Sequence, residues 1–179
     1  LTAAQRGAAA HKVLCALDPA EYVGLQGAAL EAALAAAMEG MLQKNLLTQA
    51  ERDSIRMEDV QRFYRSSLAR RMAGSPERHA EWPFTLLADE DMILQGVLDS
   101  CFVEEGAWVL VDYKTDWGDP DTIHARYRDQ MRWYMRALRD ITGQPVKEAW
   151  LYLLRRGEAV QVTEEEAIRL KADEGGLPG

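Results

Sequence analysis

Asp99, Asp112 and Lys114 are the residues of this chain whose types and spacing could do chemistry. Asp112 and Lys114 stand two apart in "VLVDYKTDWG", which begins as a buried-strand pattern, so their side chains emerge on one face of the strand. A two-residue turn at Glu105 and Gly106 would join this strand to the preceding "MILQGVLDSCFV", glycine being the usual supplier of positive φ there. Glu104 then pairs with Ala107, and the register carries Asp99 directly opposite Asp112 as a non-hydrogen-bonded pair, Cα atoms about 4.5 Å apart. Like charges set this close destabilise a sheet and drive one carboxyl towards protonation. A divalent cation removes both penalties. The carboxylates would supply hard oxygen ligands to Mg2+ or Mn2+, while Lys114 could orient or deprotonate a water and steady negative charge as it develops. That set suits phosphodiester hydrolysis. The same residues would also make a surface salt-bridge cluster, Asp99–Lys114–Asp112, and spacing alone does not separate the two.

The elements that must position these groups follow from periodicity. The first 75 residues read as helices: "RGAAAHKVLCAL" stopped by Asp18-Pro19, an Ala-rich helix with Leu30, Leu34, Met38 and Leu42 on one face, and a third from near Met57 to Gly74 with Val60, Tyr64 and Leu68 inward. After "GSPER" the period changes to that of strands. "EWPFTLLA", "MILQGVLDSCFV" and "AWVLVDYK" form an antiparallel meander with turns at "DED" and "EEG". A long helix from about Ile123 to Ile141 ends at Gly143, and strands "KEAWLYLLR" and "AVQV" precede an acidic helix capped by Thr163. The order predicts an α/β (α+β) fold, and 179 residues at 47% hydrophobic suit a single domain. Its expected parts are a helical segment over 1–75, a core over 80–173 and a flexible tail over 174–179. No apolar run approaches the ~18 residues needed to cross a bilayer. Cys15 and Cys101 read as reduced thiols, which points to the cytoplasm. A formal charge of −8 argues against coating nucleic acid by bulk electrostatics.

"GVLDSCF", "LVDYKTD" and "YRDQMRWYMRAL", in that order, resemble the RecB-like nucleases of the PD-(D/E)XK superfamily, above all the C-terminal nuclease domain of AddA-type helicase–nuclease subunits. The resemblance runs from about Gly7 to Leu154. It implies a restriction-endonuclease-like core with a central mixed sheet flanked by helices, in a domain excised from a longer chain. It further implies that Asp99 and Asp112 hold Mg2+, with Mn2+ tolerated, joined by the main-chain carbonyl of Tyr113, and that Lys114 is the catalytic lysine. A metal-binding histidine on an early helix matches His11, which taken alone reads as a core or interface histidine. Gln130 and Tyr134, four apart and so on one helix face, are placed beside the active site and the bound strand. Tyr127, Met131, Tyr134 and Leu138 also make a plain core stripe. Glu81 matches an acidic position at the start of the first core strand, though an exposed strand end would explain it as well.

Arg128, Arg132 and Arg136 recur at helical spacing, and in a nuclease this row, like "RFYRSSLARR" at 62–71, could track a phosphate backbone as well as form a solvated face. Two cysteines cannot make the four-cysteine iron–sulfur set of some relatives. No Gly is followed by Lys, so no phosphate-binding loop for ATP is present in the chain. The resemblance therefore implies a motor elsewhere: a helicase domain in the parent chain and a second helicase–nuclease subunit, delivering single-stranded DNA for exonucleolytic cleavage during double-strand break repair. The alternatives are a non-catalytic DNA-binding or structural module of nuclease fold, and an unrelated α+β protein with a fortuitous ion cluster.

Overall fold

A computed structural model describes residues 1–164. The acidic helix expected after Thr163 and the tail over 174–179 lie outside the described residues, apart from their first positions. Helix α1 (Ala3–Ala16) opens on a capping box in which Thr2 and Gln5 satisfy each other's backbone N–H groups. A 3-10 turn at Pro19–Glu21 leads to α2 (Gly27–Gln43), which buries Leu30, Leu34, Met38 and Met41. The inward stripe thus closes on Met41 rather than Leu42. Two short helices depart from the sequence expectation. Thr48 and Glu51 form a second capping box that starts α3 (Gln49–Ser54), and the continuous helix expected over 57–74 is two, α4 (Met57–Tyr64) and α5 (Ser67–Ala73). The break is chemical: the Ser66 hydroxyl accepts from the Ala69 N–H and caps a new helix. Val60, Tyr64 and Leu68 are inward as expected.

The sheet runs in sequence order through β1 (Arg78–Asp89), β2 (Met92–Glu104), β3 (Ala107–Lys114), β4 (Val146–Leu153) and β5 (Glu158–Val162). All neighbours are antiparallel except β3 and β4, which are parallel and joined by α6 (Pro120–Thr142). Asp119 caps α6, Pro120 fills its first turn and Gly143 (φ 68°) ends it in a left-handed cap. The β2–β3 turn has Glu105 and Gly106 both at positive φ (53° and 78°), the signature of a type I′ hairpin. Phe102, Val109, Val111, Tyr113 and Tyr152 pack with the N-terminal helices, whereas Cys101, Trp108, Leu110 and Leu151 pack with α6. The fold is α/β, with a mixed sheet between the two helical layers.

The side-chain alternation changes hands in the middle of β1 and β2. Cys101 and Val103 face the α6 core, yet Leu98 and Leu94, of opposite parity, face it too. The change falls at Glu81, whose φ of 50° is left-handed, and at Asp99, the two positions skipped by the β1–β2 register.

Far from this irregularity, Arg71 of α5 donates to both oxygens of Glu104 (2.9 and 2.8 Å) and to Glu148 (2.8 Å), tying the helical layer to the ends of β2 and β4. Arg71, then Lys147, hold the Glu104 carboxyl down at about 2. A depressed folded-state pKa gives stability that is fully present above the unfolded value near 4.3 and is lost as pH falls towards the folded value. Glu104→Gln should therefore cost about 1 kcal/mol at pH 7, discounted for solvent screening of a partly exposed group. Urea unfolding should show a smaller loss at pH 3.5 than at pH 7.

Candidate active site

The β2–β3 ladder keeps the expected register from Glu104↔Ala107 to Ser100↔Val111 and stops one step short of the acids. Asp99 and Asp112 are therefore not the ladder pair expected from the turn. In its place the Tyr113 N–H donates to Asp99 Oδ2 (2.9 Å), so the carboxylate takes up a main-chain donor where the strands part. The two acids still share one site. Burial, then the charge of Asp112, drives the Asp99 carboxyl well above the ordinary carboxylate range.

Other groups converge on this cleft from three elements. From α1, His11 Nε2 donates to the Tyr113 carbonyl (2.6 Å) and lies 3.4 Å from Asp99 Oδ2. Lys114, on the same strand as Asp112, brings Nζ to 2.6 Å from Asp112 Oδ2 and donates to Gln130 Oε1 of α6 (3.1 Å). Its ammonium also sits 3.9 Å from the centre of the Tyr127 ring. Tyr134 packs edge-on against Phe84, and burial followed by the charges of Asp112 and Asp99 pushes its phenol up to about 12. The "GVLD" glycine makes room for this packing, because a Cβ at Gly96 would stand 2.7 Å from the Phe84 ring.

The sequence-predicted residues divide accordingly. The structure brings together His11, Asp99, Asp112, the Tyr113 carbonyl, Lys114 and Gln130, with Tyr134 close by. Glu81 lies level with Asp99 on the neighbouring strand but is exposed. Arg128 and Arg132 lean on Asp129 at 3.6 and 3.7 Å. Arg136 is spent on the Ala88 and Leu87 carbonyls and so braces the β1–β2 hairpin. In the 62–71 segment Arg62 and Arg71 are likewise held by protein groups. Sequence reasoning leaves two groups out. Tyr127 is legible only as core, although it stands three before Gln130 on the same face. Cys15 donates its thiol to the Asp99 carbonyl at 3.4 Å, and burial followed by the charges of Asp99, Glu81 and Asp112 pushes that thiol up.

The donor set fits a divalent cation. Asp112 Oδ2 is buried and accepts no aligned hydrogen bond, its 2.6 Å approach to Lys114 being an ion pair of poor geometry. His11 Nε2, the Tyr113 oxygen and Asp99 Oδ2 are spaced like donors around one octahedral ion, which lie about 3 Å apart. Among the described residues no three His, Cys, Asp or Glu side chains stand as a ready-made cage, and here a main-chain carbonyl completes the set.

The sequence model of the PD-(D/E)XK nuclease superfamily matches residues 1–174. The chain belongs to that superfamily. Among curated PD-(D/E)XK relatives, the ATP-dependent helicase/nuclease A-subunit of Thermoanaerobacter sp. (strain X514) is 31% identical over 178 residues, covering 90% of this chain and 14% of that protein. The protein of the same name from Acetivibrio thermocellus is 35% identical over 175 residues, covering 88% and 13%. That from Desulforamulus reducens is 32% identical over 178 residues, covering 90% and 14%. The chain thus spans about one-seventh of the length of these relatives. No helix among the described residues is long and apolar enough to cross a membrane.

Proposed function

We propose that this chain is a Mg2+-dependent deoxyribonuclease domain, acting as an exonuclease on single strands that a helicase delivers during double-strand break repair. One observation carries the reading: His11, Asp99, Asp112 and the Tyr113 carbonyl meet at the point where β2 and β3 part, with Lys114 beside them. These four groups would hold the cation, and Lys114 is the catalytic lysine. Bound there, the cation supplies Lewis-acid polarisation of a phosphoryl oxygen and an activated water. The protein's own groups do the rest. Lys114, aimed by Gln130 and backed by the Tyr127 ring, holds a positive charge where the transition state gains a negative one. Tyr134 closes the site against bulk water. Arg128 and Arg132 are the arginines of the α6 row left to meet phosphates, and Glu81 adds an acid at the rim. The parts of the parent chain beyond this domain would include the helicase, partnered by a second helicase–nuclease subunit. The relatives' printed names support the helicase association.

The deciding assay follows a 5′-labelled single-stranded oligonucleotide with Mg2+ and with chelator. Metal-dependent hydrolysis is expected, and equal rates in the two conditions would sink the proposal. His11→Ala should raise the metal concentration for half-maximal cleavage by at least about tenfold, since it removes one donor while leaving both carboxylates. Unchanged metal dependence would return His11 to a packing role.

A further inference from the structure

We infer that Trp117 is a stacking platform for a nucleobase of the bound strand, a role that deepens the nuclease reading and rests on it. Trp117 is 72% exposed, more than any other large hydrophobic residue described. An apolar ring of that size left in water marks a binding site when the surrounding backbone is fixed, because a mobile loop would fold the ring away. Its neighbours in the β3–α6 loop are all tied down. Thr115 lies so close to α1 that a Cβ on Gly7 would meet its Oγ1 at 2.5 Å. Asp116 accepts from the Tyr127 hydroxyl, Gly118 abuts Ile123, and Asp119 accepts from the Thr122 N–H at 2.9 Å.

The ring is also backed by a fixed cation. The Arg155 guanidinium stands 5.7 Å from the Trp117 ring centre. Arg155 is in turn anchored on Asp59, 3.7 Å away and only 6% exposed, which Arg56 and Arg62 also approach. A buried carboxylate thus holds the arginine that supports the ring. Both residues flank the chemistry, since the Lys114 carbonyl accepts from the Leu154 N–H at 2.9 Å, next to Arg155. Trp117 lies three residues beyond Lys114, a reach of at most about 10 Å and so one or two nucleotides from the cleft. A flat π-face beside a cation takes any base, since every base has a π-face, and stacking holds a strand without reading its sequence. The ligand is therefore single-stranded nucleic acid with an unstacked base, not duplex.

The test measures binding of fluorescent oligonucleotides to the 179-residue chain in chelator, where nothing is cut. Trp117→Ala should weaken binding of the intact strand about tenfold, and Trp117→Phe should retain most of it. One abasic sugar is then moved along the oligonucleotide. At a single position it should weaken binding to the parent chain and leave binding to Trp117→Ala unchanged. If Trp117→Ala binds like the parent, or if the abasic penalty persists in that variant, the ring does not stack on a base. A parent chain that shows the abasic pattern but never cuts with metal would overturn the nuclease reading alone, and one that neither binds nor cuts would overturn both.

Discussion

The Asp112→Asn chain should lose metal-dependent cleavage by at least about a thousandfold while unfolding at or above the parent's temperature in chelator. The two halves of this result have separate causes. Asp112 is 3% exposed, its Oδ2 accepts no aligned hydrogen bond, and it crowds Asp99, whose carboxyl is raised by burial and by that charge. Packing does not explain an acid in that position, because removing the charge relieves repulsion and keeps the volume. Lys114 keeps Gln130 and the Tyr127 face after the change. Lys114→Ala should match the loss of rate, because the ammonium is the positive charge closest to Asp112 and no second lysine is paired there. Single-turnover cleavage with thermal scans in chelator measures both halves. Cleavage within tenfold of the parent in either variant would mean that the chemistry is done elsewhere.

The catalytic strand was readable because its information is local. Alternation placed Asp112 and Lys114 on one face, and the turn at Glu105-Gly106 set a register that holds from Glu104↔Ala107 to Ser100↔Val111. The last step was not readable. Whether the ladder continues to Asp99 depends on the left-handed Glu81 and on α1 inserting His11, which are tertiary events with no local pattern. The same distinction separates the two short helices. Thr48 and Glu51 are a visible capping signature that a run of six residues made easy to pass over, whereas Ser66 breaks a helix whose inward stripe of Val60, Tyr64 and Leu68 continues across the break. His11 was reached only by resemblance. A histidine in an Ala-rich helix says nothing of what its ring will meet, and the Tyr113 carbonyl that meets it is a main-chain group invisible in the side-chain pattern. The Arg128, Arg132 and Arg136 row shows the converse fault, a regular spacing whose last member is committed to backbone carbonyls.

Phe63→Ala should cost about 3–5 kcal/mol and, unlike the change at Asp112, should damage stability and metal binding together. Phe63 is fully buried on α4, and its ring meets Tyr113 of β3 at 5.2 Å and Tyr152 of β4 at 5.0 Å, both in near-perpendicular contact. It is the aromatic that joins the helical segment to the parallel pair of strands. Tyr113 is also the residue whose carbonyl His11 meets, so a void under its ring loosens the segment that presents one donor and receives another. Phe63→Leu, which keeps most of the volume, should cost far less and leave metal affinity near the parent value. The comparison bears on whether residues 1–75 fold with the sheet or beside it. Urea unfolding of Phe63→Ala, followed by tryptophan fluorescence and by far-ultraviolet circular dichroism, should give one shifted transition by both probes, because four of the five tryptophans lie in the sheet or on α6 and most of the helix lies in the first 75 residues. If the helical signal melted first while fluorescence kept the parent midpoint, the helical segment would be a separate unit, and His11 would reach the site across an interface rather than from within one core.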